Sequence, residues 1–198
     1  MDKPLKSVFL HKIGNLNDKI IQCLKRDLDK RFLDYGLSTK INKERMPLLE
    51  SEYNRMRKQY DGSKILRRLF DLATDKQYFR TLGVLDVDIF SRGLNFVFGI
   101  ATPPNNILTK KFGVSIISLT RLREAFYGHD ENPKIFRLRT LKEAVHELGH
   151  TLGLKHCDNH CIMRFSNHLR ETDQKPVKFC ESCEQKVENY LNKIKFES

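Results

Sequence analysis

Three histidines, one glutamate, two glycines and a cysteine fall within the twelve residues HELGHTLGLKHC, His146 to Cys157. Imidazole nitrogen and thiolate sulfur are ligands that zinc accepts, and a carboxylate beside an open zinc position can serve as a base. On an α-helix, residues four apart share one face, about 6 Å apart along the axis. His146 and His150 can therefore aim two imidazoles at one point, while Leu148 and Leu152 dock the opposite side into the core. Glu147 is displaced by one residue, so it need not compete as a ligand and can reach a water in an open coordination position. Gly153 suits a helix end with positive φ, and the sharp turn it allows lets His156, three residues on, supply a third nitrogen. Three protein ligands with one position open is the catalytic arrangement of zinc, whereas four close the site. The expected roles are thus His146, His150 and His156 as metal ligands and Glu147 as general base.

A second group follows at once. Cys157-x3-Cys161 and Cys180-x2-Cys183 provide four thiols in two close pairs, a set that suits a closed, structural tetrahedral zinc site. Two disulfides are the competing arrangement, and His160 or His168 could replace one cysteine; a reducing compartment favours metal. The expectation is two zinc ions per chain, one catalytic and one structural. His156 and Cys157 are neighbours, and adjacent side chains in extended backbone point to opposite sides. One short segment would then carry a ligand for each ion, and the cysteine-bound ion would fix the segment that presents His156.

These residues need a helix, a turn and a supporting core. Leu138, Leu141, Val145, Leu148 and Leu152 step by three and four residues and predict an amphipathic motif helix, entered from a polar segment around Gly128 to Pro133. Upstream, VFLHKI (Val8 to Ile13) reads as a first strand. Leu16, Ile20, Cys23, Leu24, Leu28 and Phe32 recur at helical spacing, with Asn15 or Asn17 as cap, Gly36 as terminator and Cys23 as a small core residue. A short extended piece is expected near Leu37 to Asn42. Pro47 then opens a second helical region carrying Leu48, Leu49, Tyr53 and Met56, and Asp61-Gly62-Ser63 breaks it and caps a further helix with Ile65, Leu66, Leu69 and Phe70. Phe79 to Phe90, Leu94 to Ala101 and Phe112 to Leu119 read as strands, the last two separated by a loop at Pro103 to Asn106. After Cys183, Val187, Tyr190, Leu191 and Ile194 predict a closing amphipathic helix. Strands interleaved with helices make this a mixed α/β (α+β) chain.

Composition narrows the class. A chain of 198 residues is expected to form one domain over 1–198, divided into a sheet and helix part, 1–153, and a C-terminal part, 154–198, that holds the cysteines. No stretch approaches the ~20 apolar residues of a membrane span, and the N-terminal MDKPLKSVFLHKIG has too short an apolar run for a secretory leader. A cytoplasmic protein with no membrane partner is expected. The net charge of +11 admits nucleic acid or acidic partners, but no nucleic-acid motif or aromatic-interleaved basic stripe accompanies it, so nucleic acid is not the expected partner.

The pattern HExxHxxGxxH with a methionine downstream resembles the metzincin clan of zinc peptidases. Cysteine directly after the third histidine, Cys161-Ile162-Met163 and the later Cys-x-x-Cys resemble the archaemetzincins in particular, over His146 to Cys183. The resemblance implies a twisted, mostly parallel mixed sheet backed by helices, an active-site helix beneath it and a small zinc-stapled C-terminal subdomain. It further implies Met163 as the Met-turn residue, an apolar floor below the metal, and Leu94 to Ala101 as the edge along which a peptide adds as an antiparallel strand. The reaction so implied is peptide-bond hydrolysis of a peptide or protein substrate by zinc-activated water. Tyr127, His129 and His168 are candidates for a second oxyanion donor, and no N-terminal propeptide is expected because the first strand begins near Ser7. A non-catalytic zinc-stabilised binding module, for nucleic acid or an acidic partner, is the alternative; Glu147 argues against it, because scaffolding needs no base beside the metal.

Overall fold

The computed structural model describes residues 6–196, so the part of the leader reading that concerns residues 1–5 lies outside the described residues. Its centre is a five-stranded sheet in the order β2-β1-β5-β8-β7, built from β1 (Lys6–Ile13), β2 (Leu37–Met46), β5 (Arg80–Leu85), β7 (Gly99–Ala101) and β8 (Gly113–Ser118). The pairs β1/β2, β1/β5 and β5/β8 are parallel, and only the edge pair β7/β8 is antiparallel. Of the three inner strands, β5 and β8 are buried at every position, as expected of parallel strands covered on both faces.

Helices supply that cover. α1 (Asp18–Phe32) starts where the Asn17 side chain accepts the Lys19 N–H at 2.9 Å, and the chain turns out of the following 3-10 turn at Gly36, φ 68°. α1 and α4 (Pro133–Thr151) pack on one face of the sheet in a core that includes Leu24, Leu28, Val84, Ile117, Val145 and Leu148. α2 (Gly62–Asp75) covers the other face through Ile65, Leu69 and Ala73, packed with Ile13, Val114 and Ile116. Asp61 caps α2 by accepting from the Ser63 and Lys64 N–H groups. The first core continues without a break into the C-terminal part through Leu154, Cys161, Ile162, Met163, Phe179, Val187 and Leu191, the last two on α6 (Glu181–Phe196).

Several expectations need correction. The region after Pro47 is no helix: a 3-10 turn at Glu50–Glu52 leads into a hairpin of β3 (Tyr53–Asn54) and β4 (Gln59–Asp61), and Met56 at its tip is 97% exposed. The Asn54 side chain accepts the Arg57 N–H, and Lys58 takes φ 53°, so a local turn outcompetes the helical ladder. β4 pairs with β6 (Ile89–Phe90), which splits the long strand read at Phe79 to Phe90. The strand read at Leu94 to Ala101 shrinks to Gly99–Ala101, because Val97 N–H bonds Ile89 and the chain is still crossing from the small sheet to the large one. The extended piece near Leu37 to Asn42 runs on to Met46. Cys23 is half-buried beside the Arg26 guanidinium, not in the core. Leu138 is 44% exposed, because the buried face of α4 holds polar residues there, with Arg139 paired to Asp173 and Glu124. Two short helices, α3 (Ile107–Lys111) and α5 (Leu169–Gln174), lack any apolar period that sequence reading could detect.

His11 on β1 is buried, and its environment fixes its protonation. The Asn42 Oδ1 accepts the Glu44 N–H, so the Asn42 amide must donate to His11 Nε2, 3.0 Å away, and that nitrogen carries no proton. Burial pulls the imidazole from 6.5 down to about 4, against the opposing pull of Glu44. The unfolded chain protonates this residue first, so its contribution to stability is complete above pH 6.5 and is lost as pH falls towards 4. Denaturant titrations of wild type and His11→Gln between pH 7.5 and 4.5 are expected to differ in slope, the wild type losing about 2–3 kcal/mol more over that range. Parallel curves would mean that His11 is protonated in the fold.

Candidate metal centre

The motif helix α4 begins at an Asn132 cap with Pro133 at its first position and ends where the chain must reverse. At that end Gly153 N–H bonds His150 O and Leu154 N–H bonds Gly149 O, with Gly153 at φ 88°: the paired bonds of a Schellman turn. The turn folds the chain back so that His156 returns to the helix face carrying His146 and His150. Ring centroids lie 4.7 Å apart for His146 and His150, 4.9 Å for His150 and His156, and 5.5 Å for His146 and His156.

Backbone carbonyls set the orientation of two of these rings. Ile162 O lies 2.9 Å from His146 Nδ1, and Leu154 O lies 2.9 Å from His150 Nδ1. A carbonyl only accepts, so both Nδ1 atoms carry the proton and both Nε2 atoms of the neutral rings are bare. Burial holds all three imidazoles below the usual histidine range, and Lys175 nearby adds to this, so neutral rings are the form at neutral pH. The two Nε2 atoms nevertheless face each other at 3.1 Å. Two lone pairs at that distance repel unless a cation lies between them, and nitrogens on a tetrahedral zinc sit about 3.3 Å apart. The donor set therefore fits zinc. One ligand atom from each of His146, His150 and His156 lies within 4.8 Å of the others.

Met163 is buried against Gly149 of the motif helix. A methyl group on Gly149 would sit 2.5 Å from the Met163 sulfur, so glycine there is what admits the methionine to the helix surface. Glu147 projects towards the edge strand. A Cβ on Gly99 would lie 2.5 Å from Glu147 Cγ and 2.7 Å from its carboxyl group, so β7 approaches that side chain with no room to spare. Burial holds the Glu147 carboxyl above the usual carboxylate range; Glu143 one turn earlier reinforces this and Lys175 opposes it. These groups share one cleft of about 460 Å³, walled by residues 94–101, by His146, Glu147 and His150, and by His156, Phe165, Ser166, Asn167 and Lys175.

The four cysteines also converge, with their sulfurs within 4.8 Å of one another and none in a disulfide. Cys157 and Cys180 Sγ are 3.8 Å apart, which matches the edge of a tetrahedron with zinc–sulfur bonds of about 2.3 Å. The Cys180 and Met163 N–H groups both donate to Cys161 Sγ, at 3.2 and 3.4 Å, a pattern that stabilises a thiolate. Cys157 N–H bonds Met163 O at 3.1 Å, which ties the cysteine segment to the methionine turn.

All the residues read as ligands or base from the sequence are thus brought together in two groups. The three oxyanion candidates are occupied elsewhere: Tyr127 donates to Arg121 O, His129 pairs with Glu124, and His168 lies 3.6 Å from Glu171. Neither they nor His160 line the cleft. Glu143, Ser166 and Lys175 do. Glu143 lies one turn before His146 and Glu147 on α4, where the helical spacing could have shown it, whereas Ser166 and Lys175 lie on segments that only the tertiary fold brings in.

Comparison with known proteins agrees with this geometry. Residues 12–189 match Peptidase family M54. The archaemetzincin of Sulfolobus acidocaldarius is 39% identical over 188 residues, 94% of this chain and 98% of the relative. That of Pyrococcus furiosus is 36% identical over 184 residues, 91% of this chain and 92% of the relative. The crystal structure of archaemetzincin from Methanopyrus kandleri superposes with a TM-score of 0.78 at 30% identity, covering 96% of this chain and 97% of that one. The Archaeoglobus fulgidus protein, crystallised with malonate, gives 0.74 at 33% identity over 91% and 99%. Among the described residues no helix is long and apolar enough to cross a membrane. Converging imidazoles, a second cluster of thiols and relatives matched along nearly their full length lead to one conclusion: the chain belongs to Peptidase family M54, the archaemetzincins, and is a zinc metallopeptidase.

Proposed function

We propose that the chain is one catalytic unit that binds two zinc ions, hydrolysing peptide bonds at the histidine site and using the cysteine site as a structural clamp. The observation that carries the reading is the pair of bare Nε2 atoms at 3.1 Å beside a carboxyl group that is not itself drawn into the cluster. His146, His150 and His156 would hold the zinc, which when bound would supply Lewis acidity to water and to the scissile carbonyl. Glu147 takes the proton of the attacking water on its carboxylate and hands it to the leaving amine. Buried between α4 and β7, its side chain has few alternative rotamers, so the carboxylate is held where the proton moves. A peptide lies along residues 94–101 with its backbone antiparallel to Gly99–Ala101, whose outer edge is the free edge of the sheet. The hydrogen bonds from Cys157 and Met163 N–H support a linkage between the two sites: the cysteine clamp holds the segment from which His156 projects.

Glu147→Ala is expected to keep its zinc content and lose at least about a thousandfold in kcat on a peptide library, within the range seen when acid–base groups are deleted. Cleavage at the parental rate would remove Glu147 from the mechanism. Gly99→Ala should lower kcat at least about tenfold with the thermal midpoint nearly unchanged, because the added methyl group displaces the Glu147 carboxyl and not the core. In the double variant Cys180→Ser with Cys183→Ser, zinc affinity at the histidine site is expected to fall about 10–100-fold in chelator competition. Wild-type affinity in a folded double variant would sever the proposed link.

A further inference from the structure

One wall of the cleft has no part in the proposed hydrolysis. After Met163 the chain passes through Phe165, Ser166 and Asn167 and, beyond α5, reaches Lys175, and Ser166, Asn167 and Lys175 all line the cleft that holds Glu147. The Lys175 side chain is only 2% exposed, yet its ammonium meets one acceptor among the described residues, Glu143 Oε1, at the outer hydrogen-bond limit of 3.5 Å. Lys142, buried close by, shows what a satisfied lysine looks like here: its Nζ donates to Thr172 O at 3.0 Å and to Asp173 O at 2.7 Å. The Ser166 hydroxyl is buried and has no partner among the described residues.

An ammonium has three donors and a hydroxyl one, and buried donors left unpaired cost free energy. Ser166 and Lys175 therefore carry more donors than the acceptors found for them among the described residues, and both residues line the cleft. Glu143 balances the charge of Lys175 but leaves its remaining hydrogens unbound. The Glu143 oxygen is shared with the Thr172 hydroxyl at 3.1 Å, so it is held back from closing further on the lysine. A neutral carbonyl would satisfy one donor. A carboxylate has two oxygens and can engage both the hydroxyl and the cation.

We propose that Ser166 and Lys175 form a subsite for a substrate carboxylate, making the enzyme selective for peptides that carry one beside the scissile bond. The carboxylate comes from an Asp or Glu side chain or from a free C-terminus. The inference rests on the hydrolytic reading only in taking this cleft as the place where substrate binds.

Binding separates the two ideas. Hexapeptide pairs differing only in Glu against Gln at one position, and pairs with a free or amidated C-terminus, are titrated calorimetrically into the full zinc-loaded chain carrying Glu147→Ala. Roughly ten- to a hundredfold tighter binding of the acid member is expected for at least one pair, the range of a charge-assisted hydrogen bond. The position of that pair identifies the source of the carboxylate. The preference should fall to within about twofold in Lys175→Met, weaken in Ser166→Ala and survive in Lys175→Arg. Because Lys175→Met strands Glu143 as a buried charge, a second chain carrying Glu143→Gln with Lys175→Met keeps the site neutral if the single variant does not fold. Equal binding of acid and amide in every pair, or a preference that persists without Lys175, would overturn the subsite. Whether Glu147 is the base has no bearing on these ratios.

Discussion

Two imidazole nitrogens are held lone pair to lone pair, 3.1 Å apart, and the rest of the molecule is arranged to keep them so. Each ring spends its Nδ1 proton on a backbone carbonyl, Ile162 for His146 and Leu154 for His150. Both carbonyls belong to the chain beyond the helix. The orientation of the helical ligands thus depends on the path taken after the helix ends, and that path depends on Gly153 at φ 88° and on the bonds that close the Schellman turn. A residue with a Cβ would strain that turn and with it the Leu154 carbonyl that orients His150. The spacing of the motif is in this sense a statement about second partners as much as about ligands.

The cysteine cluster extends the same logic. Met163, packed against Gly149 of the motif helix, has its N–H on Cys161 Sγ and its carbonyl on the Cys157 N–H. Ile162, which orients His146 through its carbonyl, has its own N–H bonded to Lys178 O, two residues before Cys180. Whatever holds the four sulfurs together therefore holds two supports of the histidine site at once, Met163 and Ile162. Four thiols within 4.8 Å of one another are a donor set that a metal would fasten, adding to the burial that this segment shares with the main core.

The site was more legible in the sequence than the fold around it, and the reason is the range of the interactions concerned. HELGHTLGLKHC encodes its geometry locally, through helical periodicity, one glycine and one turn, so its ligands could be named without knowing any neighbour. Strands such as Val8 to Ile13 and Phe112 to Leu119 were legible because short runs rich in aliphatic and aromatic residues, too short for a helical repeat, mark them. The hairpin at Tyr53 and Tyr60 was hidden, since its Leu48, Leu49, Tyr53 and Met56 spacing imitates a helix, while the decisive Asn54 turn is a side-chain to backbone bond. Leu138 misled for a related reason: the buried face of α4 near its start is held by the ion pairs of Arg139, which hydrophobic periodicity cannot register. Ser166 and Lys175 were invisible because each enters the cleft only through long-range packing, whereas Glu143, one helical turn before Glu147, was within reach of the same periodicity.

Arg80 shows how the C-terminal helix is held at its far end. It is wholly buried in β5 and pairs with no carboxylate among the described residues, and burial draws its guanidinium down to about 10, still protonated at neutral pH. Its Nη2 donates to the Tyr190 hydroxyl at 2.7 Å and to Lys110 O, while the Tyr190 hydroxyl donates to Lys110 O at 3.3 Å. The exposed carbonyls at the end of α3 stand in for the missing anion, since a helix C-terminus carries partial negative charge. α6 is thereby fastened at two points, by cysteines 180 and 183 at its start and by Tyr190 near its middle. A hold at one end of a helix leaves the other end free to pivot. The second fastening removes that pivot, so the hydrogen bonds of Met163 and Ile162 to the cysteine segment meet a fixed support.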